Sequence, residues 1–258
     1  MLRRIRRESQ RLLLALQFLT RVPVRSAAFD PAELNRSARY FPVIGVLVGG
    51  AGALVFAAAA QLWPLPVAVL LSMAATAWFT GGFHEDGLAD TCDGLGGAVS
   101  RERALAIMKD SRIGSYGALG LVLMLGLKAA LLAAQGSILR SACAMVFAHA
   151  VSRAAPVLLL ALLPYAGDAG HAKARPMAQQ VHAADVVIAL LTALALAALL
   201  APPLGVVHTL AALGAAALAT AAMRRWLRRR LGGYTGDTLG ATQQGTEAAL
   251  LLALAAAW

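Results

Sequence analysis

Charge is what this 258-residue sequence has least of: 14% of its residues are Asp, Glu, Lys or Arg, while 59% are hydrophobic. Soluble domains carry about 25% charged residues, so the composition argues against a soluble fold. Cysteine is nearly absent. Cys92 and Cys143 are the only two, which excludes a disulfide framework and fits a reduced or membrane-embedded chain. Acids are scarce beside bases, 13 against 23, for a formal net charge of +10. Such a balance can serve nucleic acid, but these bases cluster at the ends of apolar runs, where membrane proteins place them, so no nucleic-acid partner is expected. The N-terminal MLRRIRRESQRLLLALQFLT lacks a clear small-x-small cleavage site, and Arg21 and Arg25 follow it at once. It reads as a retained amphipathic helix in the bilayer interface, with its arginines toward the headgroups.

Long apolar runs are abundant. A spanning helix needs about 20 mostly apolar residues, and six stretches qualify: 43–62, 65–83, 118–134, 141–163, 184–201 and 204–223. Trp63-Pro64 and Pro202-Pro203 break neighbouring runs, since proline cannot continue a helix. A last run, 248–258, is too short to span unless the polar residues before it join the same helix, and is expected to be partial or re-entrant. The fold class is thus all-α: a polytopic transmembrane helical bundle of six spans, a partial C-terminal segment and an N-terminal interfacial helix, in one integral membrane domain over 1–258.

Basic residues concentrate on the cytoplasmic side of membrane proteins. With a cytoplasmic N-terminus the inner stretches are 1–42, 84–117, 164–183 and 224–247. They hold 20 of the 23 Lys and Arg, leaving Lys128, Arg140 and Arg153 elsewhere, and 12 of the 13 acids, with Asp185 just outside. The chemistry is therefore expected inside, on an acidic motif loop over 84–117 and a Gly-rich loop over 224–247.

The densest polar stretch, 81–97, follows the second run. Asp86, Asp90 and Asp93 are spaced i, i+4, i+7, one face of a helix. Three uncompensated carboxylates repel each other, and a divalent cation reverses that effect. Oxygen ligands select Mg²⁺, Mn²⁺ or Ca²⁺ over zinc, and Mg²⁺ commonly sits on one or two carboxylates while substrate phosphates complete its shell. His84, beside them, is a candidate proton acceptor or phosphate donor, although such a histidine alone is more often structural. Ser100 can cap a short amphipathic helix. After it Lys109 and Arg112 offer phosphate donors and Asp110 a further catalytic or metal-binding acid; a plain surface helix would carry the same charges. In Gly232–Ala241 and beyond, Thr235, Asp237 and Glu247 make a natural second wall of the site. Lys128, His149 and Arg153 lie inside apparent spans, where an ionisable side chain is expensive and is by default a functional hypothesis. No in-span acid obviously neutralises Lys128. That favours a substrate-facing Arg153, with Asp237 or Asp90 as the structural alternative partner.

These segments together resemble the cobalamin synthase family, the adenosylcobinamide-GDP ribazoletransferases. The resemblance runs through Leu19-Thr20-Arg21-Val22-Pro23, Phe41-Pro42 with Gly45, His84 to Gly94, Lys109 to Gly117, Lys128, Ser152-Arg153 and Gly232 to Ala241. Its specific part is His84-x-Asp86-Gly87-Leu88-Ala89-Asp90-Thr91-x-Asp93-Gly94, followed by Asp110-Ser111-Arg112-x-Gly114. It implies attack by a hydroxyl of α-ribazole, or of its 5′-phosphate, on the cobinamide-linked phosphorus of adenosylcobinamide-GDP. GMP leaves, in the last assembly step of cobalamin. It also implies Mg²⁺ as cofactor and the bacterial inner membrane as location. His84, Asp110 and Asp237 are then the catalytic candidates, Asp86, Asp90 and Asp93 the metal ligands. Lys109, Arg112, Lys128, Arg153, Thr235 and Glu247 are the substrate-binding set. Self-association into a homo-oligomer is left open. Two other readings compete. A lipid phosphotransferase would carry Asp-Gly-x-x-Ala-Arg where this chain has Asp86-Gly87-Leu88-Ala89-Asp90, and a cation transporter would place its acids at mid-span rather than at a helix end.

Overall fold

In lipid every backbone N–H and C=O must be satisfied within its own segment, so apolar runs become helices. The computed structural model describes residues 2–24, 31–97, 100–167 and 181–256. Among these, α1 (Leu2–Leu19) is followed by α2 (Pro31–Ser37), a 3₁₀ turn (Ala38–Tyr40) and α3 (Phe41–Ala59). Then come α4 (Leu65–Thr80), α5 (Phe83–Gly97), α6 (Arg101–Met108), α7 (Ser115–Ala133), α8 (Ile138–Ser152) and α9 (Ala154–Leu162). The chain ends on α10 (Ala183–Leu204), α11 (Val206–Arg230) and α12 (Gly236–Ala255). No strand forms among the described residues; one isolated bridge joins Tyr165 to Tyr234. Arg25, Asp30, Asp168, Lys173 and Arg175 of the charge partition, and the end of the 248–258 run, lie outside the described residues.

Five helical stretches are long and apolar enough to cross a membrane: 33–59, Ser115–Ala133, 138–162, Ala183–Leu204 and Val206–Arg230. The pair α4 and α5 makes a sixth only if counted as one span, because it bends by 90°. The expected second span therefore changes. Gly81 and Gly82 adopt φ of 75° and 69°, a left-handed conformation that ends a helix at little cost to glycine. Helix α4 stops at 16 residues, and α5, with its aspartates, turns 90° from it. We place α5 outside the spanning segments.

Other expectations are also corrected. Pro202-Pro203 does not break the chain; both lie in the last turn of α10, and Gly205, at φ 88°, ends it. The real break in a long run is at Arg153, where α8 gives way to α9; Pro156 cannot donate to the carbonyl of Ser152. The stretch 84–117 is mostly helix rather than loop. Within 224–247 only 231–235 is non-helical, because arginine and leucine carry α11 on to Arg230. The C-terminal segment is longer than its apolar run, although it is not among the five stretches apolar enough to cross a membrane. Polar residues 236–247 and the apolar run form one 20-residue helix, roughly 30 Å long at ~1.5 Å per residue, and its side chains are largely buried at the centre of the bundle. On α1, Arg6 and Arg7 are exposed, but Arg11 is buried and bonds to Glu8 and Glu33.

Ser100 caps α6 by accepting from the Arg103 amide, as expected. Asp185, the acid outside the partition, is fully buried and accepts from Arg39 Nε at 2.6 Å. That ion pair ties the start of α10 to the turn before α3. At the same end the Arg101 guanidinium donates to the carbonyls of Leu231 and Ala166, each at 2.7 Å. Tyr234 N–H donates to Pro164 O at 3.0 Å. The connections after α5, α9 and α11 are thereby laced into one polar end of the bundle.

Candidate active site

Two glycines build the site. A Cβ on Gly87 of α5 would sit 2.7 Å from the Asp237 carbonyl oxygen, and one on Gly240 of α12 would sit 3.2 Å from the His84 carbonyl oxygen. Their absence lets α5 and α12 cross in near-backbone contact, the way small residues pack membrane helices. The crossing sets Asp237 against the acidic face of α5. The two walls expected from sequence do meet.

The three aspartates of α5 are not equivalent. Asp86 is exposed and Asp90 half-buried. Burial, then the charges of Asp237, Asp86 and Asp93, push the Asp90 carboxyl up to about 7. Asp93 is engaged elsewhere. Its Oδ2 accepts from Gly114 N–H at 2.7 Å and its Oδ1 from Gly117 N–H at 2.8 Å. It therefore caps the N-terminus of α7, where a negative charge is favoured. A Cβ on Gly114 or Gly117 would lie 2.4 or 2.3 Å from those same oxygens, which accounts for glycine at both positions. Among the described residues no group of three or more His, Cys, Asp or Glu side chains is placed to hold a metal ion by itself. The charges of Asp86 and Asp237 do reach Asp90, and all the donors these residues offer are hard oxygens. That donor set fits a cation that leaves most of its shell to substrate phosphates.

Beside this carboxylate cluster lies a cavity of about 340 Å³, roofed by α1, α3 and α9 and closed by the ends of α6 and α12. His84, Lys109, Arg153, Thr235 and Asp237 supply its polar wall. Thr235 caps α12, accepting from Thr238 N–H at 3.3 Å. His84 is buried; burial, then the charge of Arg153, holds its imidazole well below the usual histidine range, so it is neutral and a weaker base than a free histidine. Arg153 is 2% exposed. It donates to the His149 carbonyl at 2.7 Å and meets the His149 ring at 3.2 Å, and its Nε has no partner among the described residues. Neither Asp237 nor Asp90 is bonded to it.

Asp110 and Arg112 pair with each other, at 2.6 Å for the shortest contact, on an open groove next to Asp93 and outside the cavity that His84 lines. The expectation that no in-span acid neutralises Lys128 does not hold. Its ammonium bonds to Glu247 at 2.7 Å and to Gln244 Oε1 at 2.9 Å. Glu247 also accepts from Gln243 at 2.6 Å and lies 3.6 Å from His149 Nδ1. Glu85, Lys128, His149 and Glu247 border a separate cavity of about 300 Å³. Reading 224–247 as a loop hid this buried network. The signal was available: Gln243, Gln244 and Glu247 immediately precede an apolar run too short to span alone.

Over residues 11–255 the chain matches the family described as cobalamin-5-phosphate synthase. It is 61% identical to an adenosylcobinamide-GDP ribazoletransferase of Leptothrix cholodnii, over 97% of each chain. It is 45% identical to one of Polaromonas naphthalenivorans, over 94% of this chain and 96% of the relative. A third relative, from Shewanella amazonensis, is 46% identical over 98% of this chain and 97% of its own length and carries the same name. No solved structure matches. The lipid phosphotransferase and transporter readings find no counterpart among these relatives.

Proposed function

The chain belongs to the cobalamin-5-phosphate synthase family, and from that premise we propose that it joins α-ribazole, or its 5′-phosphate, to adenosylcobinamide-GDP with release of GMP. A hydroxyl oxygen of the ribazole attacks the cobinamide-linked phosphorus. The bond from that phosphorus to the bridging oxygen breaks, GMP carries the electron pair away, and the hydroxyl proton passes to the protein. The cobalamin, or its 5′-phosphate, is the other product. Attack on a pyrophosphate demands charge neutralisation and in-line placement more than covalent help.

Asp90 carries the reading. Burial and the charges of Asp237, Asp86 and Asp93 push its carboxyl up to about 7, a concentration of negative charge that a divalent cation would relieve. Mg²⁺ held by Asp86 and Asp90, with Asp237 beside them, would supply neutralisation of the pyrophosphate oxygens. Asp93 supports the site from behind by fixing α7. Arg153 and Lys109 line the same cavity as Asp237 and suit phosphate oxygens, arginine through its planar fork. His84 and Asp237 are the groups on the cavity wall placed to take the hydroxyl proton.

Purified protein in nanodiscs, given adenosylcobinamide-GDP, α-ribazole and Mg²⁺, should release GMP and a cobalamin in equal amounts. Below about pH 7 a proton competes with the metal for Asp90. The Mg²⁺ concentration for half-maximal turnover should therefore rise between pH 8 and pH 6, by up to about tenfold per unit. A pH-independent Mg²⁺ requirement would remove Asp90 from the metal site.

The N-terminus and the site face the cytoplasm of the bacterial inner membrane in this reading, which rests on the charge partition and on the five arginines at the inner end of α11. A cysteine placed at Gly236, with Cys92 and Cys143 removed, should resist an impermeant thiol reagent in spheroplasts and react after permeabilisation. Labelling from outside would invert the topology.

A further inference from the structure

The proposed reaction has two substrates of very different shape, and the structure has two very different spaces next to Asp237. One is the open surface carrying Asp86 and Asp90. The other is the cavity that His84, Arg153 and Asp237 help to line. Ligand pockets run about 300–1,000 Å³, and the cavity, at about 340 Å³, lies at the bottom of that range. A bicyclic base with part of a pentose fits such a volume; a corrin macrocycle with its amide side chains is far larger. The deep walls are apolar, with Phe41, Leu105 and Leu160 among them, all buried. Guanine there would bury donors and acceptors without partners, which is costly. A dimethylbenzimidazole, with two methyl groups and one free ring nitrogen, would not. His84, Lys109, Arg153, Thr235 and Asp237 are among the polar residues of the lining, and Asp237 also belongs to the carboxylates whose charge reaches Asp90.

We infer that this cavity is the nucleoside subsite: it holds the benzimidazole base of ribazole in its apolar end and presents the ribose hydroxyls at Asp237. Adenosylcobinamide-GDP stays on the open face, with its pyrophosphate over Asp86 and Asp90. The inference rests on the proposed reaction and adds to it which space takes which substrate and what selects the base.

Narrowing the apolar end tests this. Leu160→Phe, in nanodiscs with saturating adenosylcobinamide-GDP, should disfavour the dimethylbenzimidazole nucleoside relative to the unsubstituted benzimidazole nucleoside. A methyl-sized change in an apolar pocket discriminates by about ten- to two-hundredfold, so the ratio of the two kcat/KM values should shift at least tenfold. The KM for adenosylcobinamide-GDP should stay within about twofold. General damage would lower both nucleosides together, so an unchanged ratio in folded protein overturns the subsite. A raised KM for adenosylcobinamide-GDP alone would assign the cavity to that substrate instead. Leu105→Phe, on a different helix and lining the same space, carries the test if Leu160→Phe does not fold. Absence of product from the wild-type protein with either nucleoside would overturn the functional reading, a result distinct from an active enzyme whose base preference does not move.

Discussion

Asp90→Asn should lose at least about a hundredfold to a thousandfold in turnover, the scale on which single electrostatic groups act in active sites, while making the protein more stable. Both halves follow from one observation. Asp90 is pushed up from 3.8 to about 7 by burial, Asp237, Asp86 and Asp93. Its folded pKa lies above its unfolded one, so the stability of the neutral form is fully present below about pH 4 and is lost as the pH rises through about 7. At pH 8, without metal, ionised Asp90 strains the fold. Asparagine keeps the shape and removes the charge. In EDTA at pH 8 the variant should therefore melt a few degrees above wild type, and Mg²⁺ should raise its melting temperature far less than the parent's. Gain of stability with loss of activity is the trade-off expected of a site strained for function. Asp93→Asn should behave oppositely. One of its two oxygens becomes an amide group that points a donor at a donor, the Gly114 or Gly117 N–H, so stability falls along with activity. An Asp90→Asn protein that turns over normally, or melts lower than wild type, would take the metal away from α5.

The contrast between Asp90 and Asp93 shows where sequence reading ends. Spacing of i, i+4, i+7 places all three aspartates on one helical face, and α5 is a helix. What separates them is the return of the chain 21 residues later, when Gly114 and Gly117 bring their amides onto Asp93. Nothing local to 83–97 encodes that. The helix ends were legible where chemistry is local: Ser100 caps α6, and Trp63-Pro64 parts α3 from α4. They were misread where glycine overruled proline, at Gly205 after Pro202-Pro203. The larger error was hydropathy taken residue by residue. Gln243, Gln244 and Glu247 look like loop when each polar group is charged its full cost of leaving water. In the fold Gln244 accepts from Lys128 and Glu247 from Lys128 and Gln243. Paired groups cost far less, so a helix can run straight through them. A pairing between residues 128 and 247 becomes visible only once α7 and α12 are side by side.

Glu247→Gln should lower the melting temperature in nanodiscs by roughly 6–20 °C, the effect of about 3–5 kcal/mol for breaking one side of a buried ion pair in a chain of this size. Glu247 is 2% exposed and Lys128 3%, so water cannot replace the lost partner, and lipid offers less still. The same carboxylate faces His149 at 3.6 Å, and His149 in turn receives Arg153 through its carbonyl and ring. Removing the charge therefore leaves one cation orphaned and loosens the seat of another. Lys128→Met should cost a similar amount, since each variant leaves the surviving charge with one amide partner, Gln243 for Glu247 and Gln244 for Lys128. The double variant should be more stable than the sum of the two losses predicts, by about 0.5–3 kcal/mol, the range measured for groups in direct contact. The pair lies beyond His149 from the cavity, so protein that remains folded should keep its KM for both substrates. That separates it from Asp90, where activity falls and stability rises. Additive losses in the double variant would show that Lys128 and Glu247 are not partners, and a large change in KM at unchanged melting temperature would put Glu247 in contact with substrate.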